Sequence, residues 1–117
     1  MTVAFVHLIK YSPMKKIECF IQPIKWDELE DALWEGGVAG VTVTGVRGFG
    51  SQRVRTGPRL LDKLKIEIFI RDEQVDEIIS IIRKVTHTGK LGDGKIAILP
   101  ADDLMRIRTG EKGDEAI

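Results

Sequence analysis

Residues 16–21 read KIECFI and residues 65–70 read KIEIFI, so nearly the same hexapeptide occurs twice in the chain. Both copies alternate apolar and polar side chains, the pattern of a β-strand with one buried face. Each copy leads into a segment that opens with acidic residues and continues with apolar residues at helical spacing. The repeat therefore predicts two similar β-α-β halves.

The remaining segments complete the two halves. Helical periodicity covers residues 26–35 (WDELEDALWE) and residues 72–87 (DEQVDEIISIIRKVTH). Strand-like patterns cover residues 16–22, 41–47, 64–70 and 95–99. The order β-α-β-β-α-β predicts an α+β, ferredoxin-like sandwich, in which a four-stranded antiparallel sheet carries both helices on one face.

The face of the sheet away from the helices is predicted to be partly apolar. Phe20, Val46 and Phe69 fall on the strand faces opposite the isoleucine-rich core positions. In a chain this small, such a surface is usually buried against other subunits. We therefore expect a homo-oligomer.

Composition limits the function classes. The chain has 117 residues, and its 18 Lys+Arg balance 18 Asp+Glu, which disfavours a nucleic-acid partner. Its apolar runs are far shorter than the roughly 20 residues of a membrane-spanning helix, so no membrane span is expected. Residues 1–13 lack the features of a signal peptide and are interpreted as an extension before a single domain, residues 14–117. The single cysteine, Cys19, cannot form an internal disulfide and favours a cytoplasmic location.

The sharpest local motif is TGKLGDGK at residues 88–95. Its glycine and lysine spacing is close to that of a P-loop, but Ile96 stands where a magnesium-binding Ser or Thr belongs. The loop also runs from helix to strand, so it is not a Walker A site. Three glycines still allow backbone amides to converge, and Lys95 adds a positive charge, as a phosphate chain requires. The alternative is a tight turn with glycine at the helix C-cap.

Two further basic elements stand out. Arg106 and Arg108 alternate in a segment interpreted as extended, so both guanidiniums would face one side and suit phosphate; the alternative is an ordinary solvated tail. Residues 46–65 carry six basic residues against one acid, Asp62, which suggests a contact surface for an anionic ligand or partner. The alternative role for these charges is solubility.

Catalytic and metal-binding patterns are not found. His7 and His87 are isolated and Cys19 is single, so no metal site is predicted. No combination of Ser, His and Asp or of Cys and His indicates nucleophilic catalysis. We therefore expect a protein that is not an enzyme.

Four segments together resemble one family, the PII signal-transduction proteins of nitrogen regulation. They are KKIECFIQPIKWDELEDAL, VTVTGVRGFG, TGKLGDGKI and RIRTGE, and the similarity extends over nearly all of residues 14–117. The resemblance implies a trimer of ferredoxin-like subunits that binds adenine nucleotides (ATP, ADP or AMP) in clefts between neighbours. It also implies regulation of target proteins through the T-loop, the segment between the second and third strands.

The resemblance assigns roles to individual positions. The nucleotide-binding positions lie in the phosphate loop (Gly92, Asp93, Gly94, Lys95), the arginine pair (Arg106, Arg108), the adenine surroundings (Thr42, Glu67) and the T-loop entrance (Gly48). Gln52 matches the residue that supports 2-oxoglutarate binding with Mg²⁺-ATP, and Lys63 matches a lysine that assists it. Arg53 and Arg55 are candidate ligands for another small anion.

Departures from the family pattern leave three functions open. The T-loop is shorter than in the family, and Tyr11, the only tyrosine, lies outside it, so uridylylation has no acceptor there. Ser51 and Val54 replace an arginine and a glycine of the family's T-loop. The first function is a nucleotide-dependent regulator of an unidentified transporter or enzyme. The second is a bicarbonate or other anion sensor linked to carboxysomes or transporters, and the third is a trimeric ferredoxin-like protein without nucleotide.

Overall fold

A computed structural model describes residues 13–50 and 60–117. Two of its strands lead into helices through short 3-10 turns, at Pro23–Lys25 and Asp72–Gln74, and a third such turn lies at Gly113–Ala116. The regular elements are β1 (Met14–Ile21), α1 (Trp26–Glu35), β2 (Thr42–Gly48), β3 (Leu61–Arg71), α2 (Val75–Thr86) and β4 (Lys95–Pro100). The predicted order β-α-β-β-α-β is confirmed.

The four strands form one sheet in the order β2-β3-β1-β4, and every neighbouring pair is antiparallel. The register is fixed at the centre, where Ile17 pairs with Ile68 on one side and with Ile98 on the other. The predicted ferredoxin-like arrangement is confirmed.

The core lies between the sheet and the two helices. The buried side chains of β1 and β3 that face the helices alternate with side chains that are mostly only partly buried, as the period of the sequence predicts. The buried cluster is formed by Ile17, Cys19, Ile21, Leu29, Leu33, Ile66, Ile68, Ile70, Ile78, Ile82 and Val85. Burial raises the pKa of the Cys19 thiol to about 11, so this cysteine remains protonated within the core at neutral pH.

Several element boundaries differ from the sequence-based prediction. β3 begins at Leu61 because its pairing with β2 continues to the end of the hairpin, where Gly48 lies opposite Leu61. α2 begins at Val75, after the 3-10 turn, and ends at Thr86, because His87 has an extended backbone. The alternation of apolar residues does not reveal these ends, since hydrogen bonding of the backbone determines them.

Residues 1–12 of the expected N-terminal extension lie outside the described residues. Neither helix in the described part of the chain has the length and apolar character needed to cross a membrane.

Candidate functional site

A cleft of about 260 Å³ lies where the ends of β2 and β3 meet the loop before β4. It brings together five of the predicted site residues, which come from three separate parts of the sequence. The walls are formed by Phe20, Gly48, Phe49, Gly50, Leu61, Lys63, Gly92, Gly94 and Lys95. Pairing of β2 with β3 places the two ends of the T-loop beside each other at this cleft.

The backbone of the glycine loop depends on glycine at two of its positions. Gly92 and Gly94 have φ values of 96° and 108°, a region that residues with a side chain rarely adopt. At Gly94 there is also no space, because a Cβ atom would overlap the carbonyl oxygen of Phe20 in β1. Gly94 therefore allows the loop to lie directly against the end of β1.

Asp93 stabilises the glycine loop from within. Its carboxylate accepts hydrogen bonds from the backbone N–H groups of Thr88 and Gly89, over 2.8 and 2.9 Å, and from the Thr88 hydroxyl. These bonds, that of the hydroxyl first, lower the pKa of the Asp93 carboxyl below its usual value. The Asp93 carboxylate thus holds the loop together, and its assignment by the resemblance to the nucleotide-binding positions stays a prediction.

Two lysines give the cleft a positive charge. Lys63 Nζ donates to the Gly92 carbonyl oxygen over 3.0 Å, which links the returning end of the T-loop to the glycine loop. Lys95 is exposed, and no acidic group in the described part of the chain pairs with its Nζ atom. The cleft can therefore attract an anion of the size of a phosphate group.

A second hollow, of about 300 Å³, lies at the other end of β2. It contains the two positions that the resemblance assigns to the adenine surroundings, Thr42 and Glu67, which are register partners in β2 and β3. Phe69 provides an apolar wall and is 38% exposed. The other walls are Gly40, Val41, Leu104, Ala116 and Ile117.

Glu67 belongs to a group of four charged residues on the open face of the sheet. Lys16 Nζ lies 2.6 Å from Glu67 and 3.1 Å from Glu18, while Lys65 lies 3.9 Å from both carboxylates. The hydrogen bond from Lys16 lowers the pKa of Glu67, and the bond to Glu67 contributes most to raising the pKa of Lys16. The centre of this face is thus ion-paired rather than apolar, with Phe69 beside Lys16.

The expectation of an extended segment at Arg106 and Arg108 is wrong. Residues 107–109 form a turn, closed by the Gly110 N–H group donating to the Arg106 carbonyl oxygen over 2.7 Å. Arg106 is held by the Glu111 carboxylate and the Ile117 carbonyl oxygen, whereas Arg108 is exposed. The segment is therefore folded, and its two guanidiniums have different surroundings.

The two hollows lie far apart in one subunit. Gly48 at the cleft and Thr42 at the second hollow are separated by the length of β2. At about 3.3 Å per residue this separation is roughly 20 Å. One subunit therefore presents two separate hollows rather than one continuous pocket.

Three predicted effector residues, Gln52, Arg53 and Arg55, lie outside the described residues, as do Ser51 and Val54. Among the residues that the structure describes, no three His, Cys, Asp or Glu side chains gather as a metal site.

Sequence reasoning did not identify Lys16, Glu111 and Ile117 as parts of these sites. A signal for Lys16 was present, because the alternation in KIECFI places it on the same face as Glu18. The contacts of Glu111 and Ile117 depend on the turn at residues 107–109, and no apolar periodicity marks that turn in the sequence.

A family model described as "Nitrogen regulatory protein P-II" matches residues 14–111. The chain belongs to this family. P-II proteins are signalling regulators, not enzymes, and they typically form trimers. The family binds ATP or ADP and 2-oxoglutarate in general.

Individual P-II proteins are similar over most of the chain. The nitrogen regulatory protein P-II of Azospirillum brasilense is 46% identical over 112 residues, which cover 89% of this chain and 100% of that protein. The P-II protein of Synechocystis sp. has the same identity and coverage. A crystal structure of Arabidopsis thaliana PII bound to citrate gives a TM-score of 0.79 at 39% identity, covering 91% of this chain and 94% of that one.

Proposed function

We propose that the chain is a P-II-type signalling protein that binds adenine nucleotides in clefts between the subunits of a homotrimer. The domain comprises residues 14–117, and the protein acts in the cytoplasm. Nucleotide binding changes the shortened T-loop, which regulates a partner protein, a transporter or an enzyme of nitrogen metabolism. Mg²⁺ would arrive with ATP as part of the ligand.

The observation that carries this proposal is the division of the site into two halves. The cleft offers Lys95 and a glycine loop suited to phosphate, and the second hollow offers Thr42, Glu67 and an aromatic wall suited to an adenine ring. The cleft, at about 260 Å³, is smaller than a typical ligand pocket of roughly 300–1,000 Å³, and the second hollow, at about 300 Å³, only reaches the lower end of that range. A neighbour that placed its second hollow against the cleft would complete one continuous site.

Isothermal titration with ATP, ADP and AMP tests the proposal. Replacing Lys95 or Arg106 with alanine removes a charge-assisted contact to phosphate, which typically costs about 1.5–3 kcal/mol and weakens binding roughly tenfold or more. The matched control is Lys112→Ala, because Lys112 is an exposed cation outside both hollows. Absence of nucleotide binding to the unaltered protein would refute the proposal and favour the ferredoxin-like alternative without nucleotide.

A sensor of small anions is a second candidate, favoured by Lys63 and Lys95 lining the same cleft. A bicarbonate or 2-oxoglutarate ion held there would lie beside the bound phosphates, and each ligand would then change the affinity for the other. Nucleotide titrations with and without saturating bicarbonate, and separately with 2-oxoglutarate and Mg²⁺, distinguish the two effectors. If neither anion alters nucleotide affinity, this second candidate fails.

A further inference from the structure

The two arginines that the sequence groups as a pair differ in how firmly they are held. Both η-nitrogens of Arg106 are engaged, Nη1 with Glu111 over 3.1 Å and Nη2 with the Ile117 carbonyl oxygen over 2.9 Å. Arg108 lies in the adjoining turn and is exposed. The difference matters because a flexible side chain must lose rotamer freedom when it binds a ligand.

Glu111 is itself fixed by its neighbours. Its carboxylate also accepts a hydrogen bond from the Thr109 hydroxyl over 2.9 Å, and its carbonyl oxygen accepts from the Arg106 N–H group over 2.9 Å. The β-bridge between Met105 and Lys112 brings the two sides of this turn together. Glu111 therefore holds the Arg106 guanidinium from a closed hydrogen-bonded turn.

The second contact ties Arg106 to the second hollow. Ile117 lines that hollow together with Thr42 and Glu67. Asp114, three residues earlier, is anchored to β3 because Arg71 donates to its carboxylate over 3.3 Å and to its carbonyl oxygen over 3.2 Å. Arg106 is thus oriented by groups that are fixed to the wall of the proposed nucleotide site.

The geometry points to Glu111 as a positioning residue for the nucleotide site: it holds Arg106 in the orientation that receives phosphate. An arginine side chain has five N–H donors, and the contacts to Glu111 and Ile117 use two of them. Three remain for phosphate oxygens. This role rests on the proposed function and makes Arg106 a preorganised phosphate ligand, whereas Arg108 pays the ordering entropy on binding.

The test compares nucleotide binding in Glu111→Ala, Glu111→Gln and Glu115→Ala proteins by titration calorimetry. Glu111→Ala should weaken ATP and ADP binding roughly two- to tenfold, the effect of ordering one long side chain. Glu111→Gln keeps an acceptor oxygen and should restore most of the affinity. Glu115→Ala, an exposed acid in the same segment, is the matched control and should bind as the unaltered protein does.

A double-mutant cycle separates positioning from a general structural effect. In an Arg106→Ala background, Glu111→Ala should have no further effect, because the group that it positions is gone. Adenosine, which has no phosphate, should bind equally to the unaltered and Glu111→Ala proteins. Additive losses in the cycle, or a loss of adenosine binding, would overturn the positioning role.

The direction in which Glu111→Ala changes ATP affinity shows whether Glu111 positions Arg106 or competes with phosphate for it. If Glu111 and phosphate competed for Arg106, Glu111→Ala would strengthen ATP binding, and the inference would be wrong. If Arg106→Ala weakens binding but Glu111→Ala does not, the inference also fails while the proposed function stands. No binding by the unaltered protein would refute the proposed function itself.

Discussion

Gly94 shows how one residue connects the fold to the candidate site. It lies against the end of β1, where a Cβ atom would overlap the Phe20 carbonyl oxygen, and its φ of 108° already disfavours a side chain. The sequence predicted a glycine loop suited to phosphate, but not this contact. The contact depends on two segments that are distant in the chain, and local patterns carry no information about such an approach.

Gly94→Ala should therefore destabilise the protein by about 3 kcal/mol, because backbone strain and steric overlap add. Gly89→Ala is the matched control, since Gly89 has a φ of 84° but no atom near its would-be Cβ. Gly89→Ala should lower the free energy of unfolding by about 1–2 kcal/mol, because it adds backbone strain without steric overlap. Urea unfolding at one fixed protein concentration measures both values, and equal losses would show that the overlap is relieved without cost.

At the scale of elements, the repeated KIE motif explains both the core and the charges on the open face. Antiparallel pairing places Glu18 directly opposite Glu67, and like charges in this position are unfavourable. The lysines of the two motifs lie diagonally across the pair of glutamates and compensate their repulsion, with Lys16 Nζ at 2.6 Å from the Glu67 carboxylate. The same repeat thus supplies alternating isoleucines for the core and a balanced set of charges for the opposite face.

The charge arrangement gives a pH-dependent prediction. The hydrogen bond from Lys16 lowers the pKa of Glu67. Their contact therefore stabilises the folded state fully at pH values above the ordinary pKa of glutamate. This stabilisation is lost as the pH falls through the lowered pKa of Glu67. Lys16→Gln should move the Glu67 pKa upward in a carboxyl NMR titration. Lys15 lies on the opposite face of β1 and pairs with Asp72, so Lys15→Gln should leave the pKa of Glu67 unchanged. Equal shifts in both variants would contradict a specific contact.

The sequence was most informative where periodicity is strong and least where backbone hydrogen bonds act alone. It predicted α1 with its observed bounds, and it predicted the apolar faces of β1 and β3. It did not predict the turn at residues 107–109, because a Gly110-to-Arg106 hydrogen bond and the Arg106–Glu111 contact form it. For the same reason, the sequence could propose Arg106 as a phosphate ligand, which stays a prediction, but could not show how its side chain is held.

At the scale of the whole molecule, the two hollows, as halves of the proposed nucleotide site, predict a ring of subunits. Each subunit would present the cleft to one neighbour and the second hollow to the other, which is a head-to-tail interface that closes when the rotation permits. Light scattering should therefore give about three times the 13.1 kDa mass of one chain. A monomer at micromolar concentration would contradict this assembly.

The ring also predicts that two variants with weakened binding restore high-affinity sites when they assemble together. Lys95→Ala damages the cleft and Arg106→Ala damages the region beside the second hollow, so each homotrimer would have three defective sites. In a mixed trimer, a cleft from the Arg106→Ala chain meets the intact Arg106 of a Lys95→Ala neighbour. Random assembly of equal amounts would restore roughly a quarter of the sites, which titration of the co-refolded mixture measures as a high-affinity fraction.

Separately folded variants mixed without exchange are the control. If the co-refolded mixture shows no high-affinity fraction, each site lies within one subunit, and the two hollows do not act together across an interface.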